Sequence, residues 1–286
     1  MGIDLAIELH GRDMGLMSAF ILVSGLLFVR RLEETQIGRR EGLSDGVIYG
    51  MGVLTGAQLL PVLVVSAGLL IRQRREMAWK YVGTIAVVVS ILLLPWVIRN
   101  RIALGRWIVF RSNFWLEMQI SNNDDSKTDV VANLVRSEGR RHHPFTNVKE
   151  CELYASLGEA AYMERKREIF LDWLEENPLK FACLSLDRAR KFWFPPTRSQ
   201  LAFPLLQWVI TICGWLGLWF MRREGLAIWR WIALLWLVYP AIYYFVQFDY
   251  RYRYPIQWTL LLCTGWTITS IMGRSETFGT GASSRT

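Results

Sequence analysis

Histidine and cysteine are scarce in this chain, three and four residues in 286, and they form no metal-ligand pattern. No CxxC pair occurs, which excludes a cysteine-built metal site, and the adjacent His142 and His143 cannot share one helix face. That pair reads as a local turn contact, and neither a metal nor a cofactor is implied. Ionisable residues are missing from the interiors of the long apolar runs. Lys80 and Arg230 both lie near a border, which argues against a transporter or flippase. A basic n-region is missing as well: Asp4, Glu8 and Asp13 precede the first apolar run, so the N-terminus does not read as a secretory signal. Nor does any nucleic-acid motif accompany the net charge of +8. The excess falls largely in short loops between apolar runs, where it suits anionic headgroups.

What the chain has in quantity is apolar and aromatic surface, 52% hydrophobic residues with 14 tryptophans. Six runs, 14–29, 47–71, 79–98, 201–221, 226–246 and 255–272, approach the ~20 residues that cross a bilayer, the first being short for a span. Trp79, Trp96, Trp107, Trp193, Trp208, Trp229, Trp231, Tyr243, Tyr244 and Tyr254 cluster near run ends, where amphipathic rings sit at headgroup level. The expected fold is mainly α: a polytopic membrane helix bundle with a helical extracytoplasmic insertion. Its expected parts are N-terminal membrane helices over 1–98, the insertion over 99–200, C-terminal membrane helices over 201–272 and a flexible cytoplasmic tail over 273–286. The expected location is a multi-pass position in the bacterial inner (plasma) membrane.

Arginine placement gives direction. Arg30, Arg31, Arg39 and Arg40 precede the run 47–71, and Arg72, Arg74, Arg75 and Lys80 follow it. Both clusters favour the cytoplasm, yet a single crossing would separate them. The run is interrupted by Thr55-Gly56-Ala57-Gln58, with Gly50, Gly52 and Pro61 nearby, so it forms either a broken hairpin with Thr55 and Gln58 at its tip or one long tilted helix. With a hairpin, the run 79–98 crosses outward and 99–200 lies outside. The border is Pro95-Trp96-Val97-Ile98-Arg99-Asn100-Arg101, where a fully apolar run turns at once into charge. The segment 99–111 reads as an amphipathic stretch along the interface. The composition of 121–128 marks a loop, 147–176 reads as a helix with an apolar stripe, and 178–194 as an interfacial helix begun by Pro178. The basic residues of the last helix read as solvated or headgroup-facing, with a phosphate site as the alternative. Cys151 and Cys183 fall in this polar region. They are free thiols or, in an oxidising compartment, a disulfide.

Pro95-Trp96-Val97-Ile98-Arg99-Asn100, Gly105-Arg106, Arg111-Ser112-Asn113-Phe114-Trp115-Leu116-Glu117 and Asn122-Asn123 together resemble bacterial membrane glycosyltransferases of the GT-C type, similar to the protein mannosyltransferase (family 39-like) family. His143-Pro144, Asn147, Glu150, Gly158-Glu159, Tyr162, Asn177-Pro178, Arg188 and Phe192-Trp193 continue the pattern, and Arg251-Tyr252-Arg253-Tyr254-Pro255-Ile256 is similar to the family's closing element. The resemblance runs from about 92 to 256. It implies transfer of a sugar from a polyprenyl-phosphate donor to an acceptor hydroxyl at the outer face, with membrane lipids and the lipid-linked donor as partners and no nucleic acid. It also implies an acidic residue in a first outer loop, which Asp4, Glu8 and Asp13 do not supply. The expectation is therefore the C-terminal part of such an enzyme, working with a separate N-terminal half, or else a non-catalytic subunit or inactive remnant.

No catalytic residue is assigned from the sequence. Arg251 and Arg253 are the first candidates for phosphate contact, being cationic against the topology rule at the mouth between the last two runs. Asp249 beside them offers an alternative structural pair. Arg99 and Arg101 are second candidates, equally readable as snorkelling residues. Glu117 and Glu150 read as surface carboxylates.

Overall fold

The computed structural model describes residues 2–130, 133, 142–196 and 202–281. Among the described residues twelve α-helices and a short 3₁₀ turn follow one another, with no strand beyond a lone parallel bridge between Asp129 and Phe248. Four segments are long and apolar enough to cross a bilayer: Met14–Glu33, Ala78–Leu104, Pro204–Arg223 and Ile228–Phe245, of 20, 27, 20 and 18 residues. At 1.5 Å per residue, 20 residues span roughly 30 Å, the thickness of a hydrocarbon core. They belong to α1 (Gly2–Glu33), α4 (Arg75–Leu104), α9 (Ala202–Arg223) and the pair α10 (Ile228–Val238) and α11 (Ala241–Phe245). The first is longer than the run 14–29 suggests because Arg30 and Arg31 remain helical. Arg30 pairs with Glu34 at 2.9 Å, and Arg31 binds Asp45 through both nitrogens at 2.8 Å.

The run 47–71 is divided between α2 (Arg39–Thr55) and α3 (Leu59–Gln73), with Gly56, Ala57 and Gln58 between them. Both outer ends return to the C-terminal end of α1. At the start of α2, Asp45 accepts from Arg31 and from the Tyr81 hydroxyl at 2.7 Å. At the end of α3, the Arg74 guanidinium donates to the carbonyls of Glu34, at 2.9 Å, and Leu32. The break lies at the other end of α1, where Gln58 Nε2 donates to Met17 Sδ at 3.3 Å. α2 and α3 therefore form a hairpin rather than one long helix. Glycines on one face of α2 let it lie against α4 along its length. A Cβ at Gly42, Gly46 or Gly50 would come within 2.8, 2.9 and 2.5 Å of Tyr81 and Thr84, Val88 and Leu92.

α12 (Tyr254–Gly281) runs parallel to α9, with Gly214 and Gly217 against Leu260 and Cys263 and the Thr267 hydroxyl donating to the Cys213 carbonyl at 2.6 Å. Gln257, Thr259, Thr264, Thr267 and Ser270 give α12 a series of polar side chains. It remains helical to Gly281, past the point where a flexible tail is expected, while 282–286 lie outside the described residues. α10 returns between α1, α3 and α12: Trp231 packs on Gly25 and donates to Ser66 Oγ at 3.0 Å, and Trp236 donates to Thr259 at 2.8 Å.

The molecule thus has an arginine-rich end, carrying Arg30, Arg31, Arg39, Arg40, Arg72, Arg74, Arg222 and Arg223, and an opposite end. That opposite end holds α5 (Phe114–Ser121), α6 (Val148–Leu157), α7 (Glu159–Glu176), α8 (Pro178–Trp193) and the 3₁₀ turn Tyr250–Arg253. The single helix expected over 147–176 is two, because Gly158 turns at φ 73°, a left-handed angle that ends α6 and redirects the chain. The amphipathic stretch expected over 99–111 is likewise divided. α4 continues to Leu104 and stops at Gly105, φ 69°.

Candidate functional site

The opposite end is assembled around buried polar contacts. α5 ends at Asn122, whose side-chain amide donates to the carbonyls of Met118 at 2.8 Å and Phe245 at 2.9 Å. Arg188 of α8, with no exposed surface, donates to Asn122 Oδ1 at 2.8 Å, to the Phe245 carbonyl at 3.0 Å and to the Ser121 carbonyl. Ser121 Oγ accepts from the Gln247 amide at 2.8 Å, and Phe248 exchanges backbone bonds with Thr128 and Val130 at 2.8 and 3.0 Å. Together these contacts lay the segment after α11 against the end of α5. They fix where the 3₁₀ turn begins.

The turn is capped by Asp249, whose Oδ1 accepts from the Arg251 amide at 3.0 Å. Asp249 Oδ2 also lies 3.1 Å from Arg251 Nε, an ion pair without hydrogen-bond alignment. The Arg251 guanidinium sits over the Tyr252 ring at 5.4 Å, and Tyr252 stacks on Tyr243 at 4.2 Å. Gln58 at the tip of the α2–α3 hairpin and the Tyr239 hydroxyl both donate to Met17 Sδ, so the tip reaches the floor of this cluster. Tyr239 adds a bond from its hydroxyl to the Tyr252 carbonyl at 3.2 Å and another to Met17 Sδ at 3.4 Å.

Glu117 faces this turn from the first turn of α5. Among the described residues its carboxylate takes one side-chain hydrogen bond, from Asn113 Nδ2 at 3.4 Å, and the charges that act on it are those of Arg251 and the exposed Arg111. Neither guanidinium is close enough to form an ion pair with it. Burial pushes the Glu117 carboxyl above the usual carboxylate range, although Arg251 and Arg111 both pull it down. At Arg251, burial works against the charge, but Asp249, Tyr252 and Glu117 outweigh it and hold the group above its ordinary value. A buried carboxyl with its proton affinity raised, close to the charge of a guanidinium, is a candidate for proton transfer.

The other candidates stand elsewhere. Arg253 points to the opposite face of the turn from Arg251. Its Nε donates to Gln257 at 2.9 Å, and its remaining nitrogens donate to the Trp193 carbonyl and Thr211 Oγ1, each at 2.8 Å. It ties the end of α8 to α9 and α12, and burial lowers it to about 10. Arg99 and Arg101 are exposed at the end of α4, over Trp96 at 5.4 Å and Trp107 at 5.7 Å. That is the arrangement of snorkelling residues, and neither joins the Arg251 cluster. Glu150 is held by Lys166 Nζ at 2.9 Å and the Tyr162 hydroxyl at 2.6 Å. His143 makes the local turn contact, its Nδ1 accepting from the Phe145 amide at 3.1 Å. Cys151 and Cys183 are exposed free thiols, and among the described residues no group of His, Cys, Asp and Glu could hold a metal ion.

Sequence reasoning reads Glu117 as a surface carboxylate, whereas it is half-buried and senses the charge of Arg251, 134 residues away along the chain. The available signal was its place in the Arg111–Glu117 segment, which leads directly into the first turn of α5. Comparison with protein-family models, with curated proteins and with solved structures yields no match.

Proposed function

We propose that this chain is a membrane glycosyltransferase that moves a sugar from a polyprenyl-phosphate donor to an acceptor at the extracytoplasmic face of a bacterial plasma membrane. The four span-length helices supply the membrane setting. The arginine-rich loops set the direction, with Arg30 to Arg40, Arg72 to Arg74 and Arg222 to Arg223 in the cytoplasm and the cluster around Arg251 outside. The observation that carries the reading is the position of Arg251. It is fixed by Asp249 and Tyr252 at the mouth of the helices, with the charge of Glu117 nearby, and lies on the side opposite those loops. A guanidinium held there meets a lipid-borne phosphate at headgroup depth, and its forked donors match phosphate oxygens.

The test is release of undecaprenyl phosphate by the full chain reconstituted in liposomes, with undecaprenyl-phosphate-linked mannose, galactose and glucose offered in turn and membrane extract as acceptor source. The expected result is release from one of these donors, reduced at least about tenfold by Arg251→Ala with expression unchanged. Absence of release from every donor, with or without extract, overturns the reading.

A further inference from the structure

We propose that Arg222, Arg223 and Arg230 bind the phosphate headgroup of an anionic phospholipid in the leaflet at the arginine-rich end of the molecule. The site is remote from the Arg251 cluster and does not depend on the transferase reading.

The described arginines of that end fall into three kinds. Arg30, Arg31 and Arg74 are engaged by the protein itself, through Glu34, Asp45 and the carbonyls of Leu32 and Glu34. Arg39, Arg40 and Arg72 are exposed and, among the described residues, lie over no aromatic ring. The third kind flanks the connection from α9 to α10. Arg223 lies over the Trp219 ring at 4.0 Å, while Arg222 and Arg230 lie over the single ring of Trp229 at 5.5 and 5.7 Å. All three are exposed.

A ring attracts a guanidinium without using its N–H groups, so the forked donors stay available. Among the described residues none of the three arginines donates a hydrogen bond or pairs with a carboxylate. The connection has one acid, Glu224, and it is turned to α12. There it accepts from the Trp266 indole at 3.0 Å and from the Ser270 hydroxyl at 3.3 Å. Three positive charges are thus held in place by two tryptophans, and the nearest acid in sequence is occupied elsewhere. Their counter-charge comes from outside the described chain.

The surface below the arginines selects its source. Val209, Ile212, Leu216 and Trp219 are exposed at helical spacing and form one apolar stripe along the span of α9. Arg223, four residues beyond Trp219, ends that stripe. A cation set over an apolar stripe matches a lipid, with acyl chains along the helix and the phosphate at the fork. A soluble anion meets the charge but leaves the stripe unused. The shared ring keeps Arg222 and Arg230 together, and Arg222 adjoins Arg223, so the three serve one headgroup region. Tryptophan at headgroup depth and basic clusters at helix ends are the ordinary means of holding such lipids.

The experiment follows the unfolding midpoint of the full chain in neutral detergent as phosphatidylglycerol is added. Phosphatidylcholine and glycerol 3-phosphate, the free anion, are titrated beside it. A saturable rise is expected with phosphatidylglycerol alone. Arg222→Gln, Arg223→Gln and Arg230→Gln together are expected to raise the concentration for half the rise at least about tenfold. Trp219→Leu with Trp229→Leu keeps every charge and is expected to raise it about threefold or more, because the guanidiniums lose their support. Arg39→Gln with Arg40→Gln is expected to leave it within about twofold. Should the glutamine triple show no unfolding transition, the corresponding lysine triple replaces it. That variant keeps the charge, loses the fork, and must raise the concentration about threefold or more. A rise reproduced by phosphatidylcholine or by glycerol 3-phosphate overturns the lipid assignment, as does no rise at all. A glutamine triple within about threefold of wild type, tryptophan variants that bind as wild type, or an equal loss on replacing Arg39 and Arg40 overturns the site.

Discussion

Arg188 is buried without a carboxylate to face it. Its guanidinium is solvated by the Ser121 and Phe245 carbonyls and by Asn122 Oδ1, and burial, only partly offset by Asp187, lowers it to about 10. It remains charged at neutral pH, so its positive charge sits inside the fold supported by three hydrogen-bonding oxygens and, in part, by the charge of Asp187. Replacing it with methionine leaves the Ser121 carbonyl and Asn122 Oδ1 without this donor, while the Phe245 carbonyl keeps Asn122, and each stranded buried acceptor costs about 1–3 kcal/mol. Arg188→Met is therefore expected to destabilise the chain by roughly 3 kcal/mol or more. Arg188→Lys is expected to rescue little, because a single ammonium cannot reproduce a fork shared among three acceptors. Thermal unfolding in detergent measures both, and a variant within about 1 kcal/mol of wild type would show that the clamp is dispensable. The same clamp positions the segment leading to Arg251, so loss of phosphate binding is expected to accompany the loss of stability.

Among the elements, the α2–α3 hairpin shows how far the residues speak for themselves. Its break was legible because Thr55-Gly56-Ala57-Gln58 and Pro61 interrupt an apolar run, and because arginines at both ends favour one side. α8 was legible from Pro178 at its start, and the division of 147–176 was missed because helical periodicity continues on either side of Gly158. What the residues could not reveal were partnerships across the chain. Asp45 is 1% exposed beneath Arg31 and Tyr81, while Arg251 and Arg253, two apart in sequence, have separate sets of partners. Helix packing gives this scale its test. A Cβ at Gly217 would lie 1.7 Å from the Cys263 carbonyl oxygen, so α9 and α12 must separate to admit one. Gly217→Val is expected to cost about 1–3 kcal/mol, as overpacking does, and Gly265→Val on the open side of α12 much less. Equal losses in detergent unfolding midpoints would mean that the close approach contributes nothing.

At the scale of the molecule, the Arg251 cluster lies at one end, and the arginines that flank the short connections between the apolar helices, Arg30 to Arg40, Arg72 to Arg74 and Arg222 to Arg223, lie at the other. This asymmetry makes orientation decidable without any substrate. Cys151 on α6 and Cys183 on α8 are exposed free thiols at the site end, whereas Cys213 is half-buried and Cys263 buried among the helices. A membrane-impermeant maleimide added to intact spheroplasts is expected to label Cys151 and Cys183. A cysteine introduced as Arg39→Cys, in a background lacking the two native exposed thiols, is expected to react only after permeabilisation. The reverse pattern would place the Arg251 cluster in the cytoplasm, where a donor exposed at the outer face could not reach it. Labelling of Arg39→Cys and Cys151 from the same side would contradict an odd number of crossings between them. The hairpin predicts that odd number: α2 and α3 go in and return, so α4 alone carries the chain from the arginine-rich end to the site.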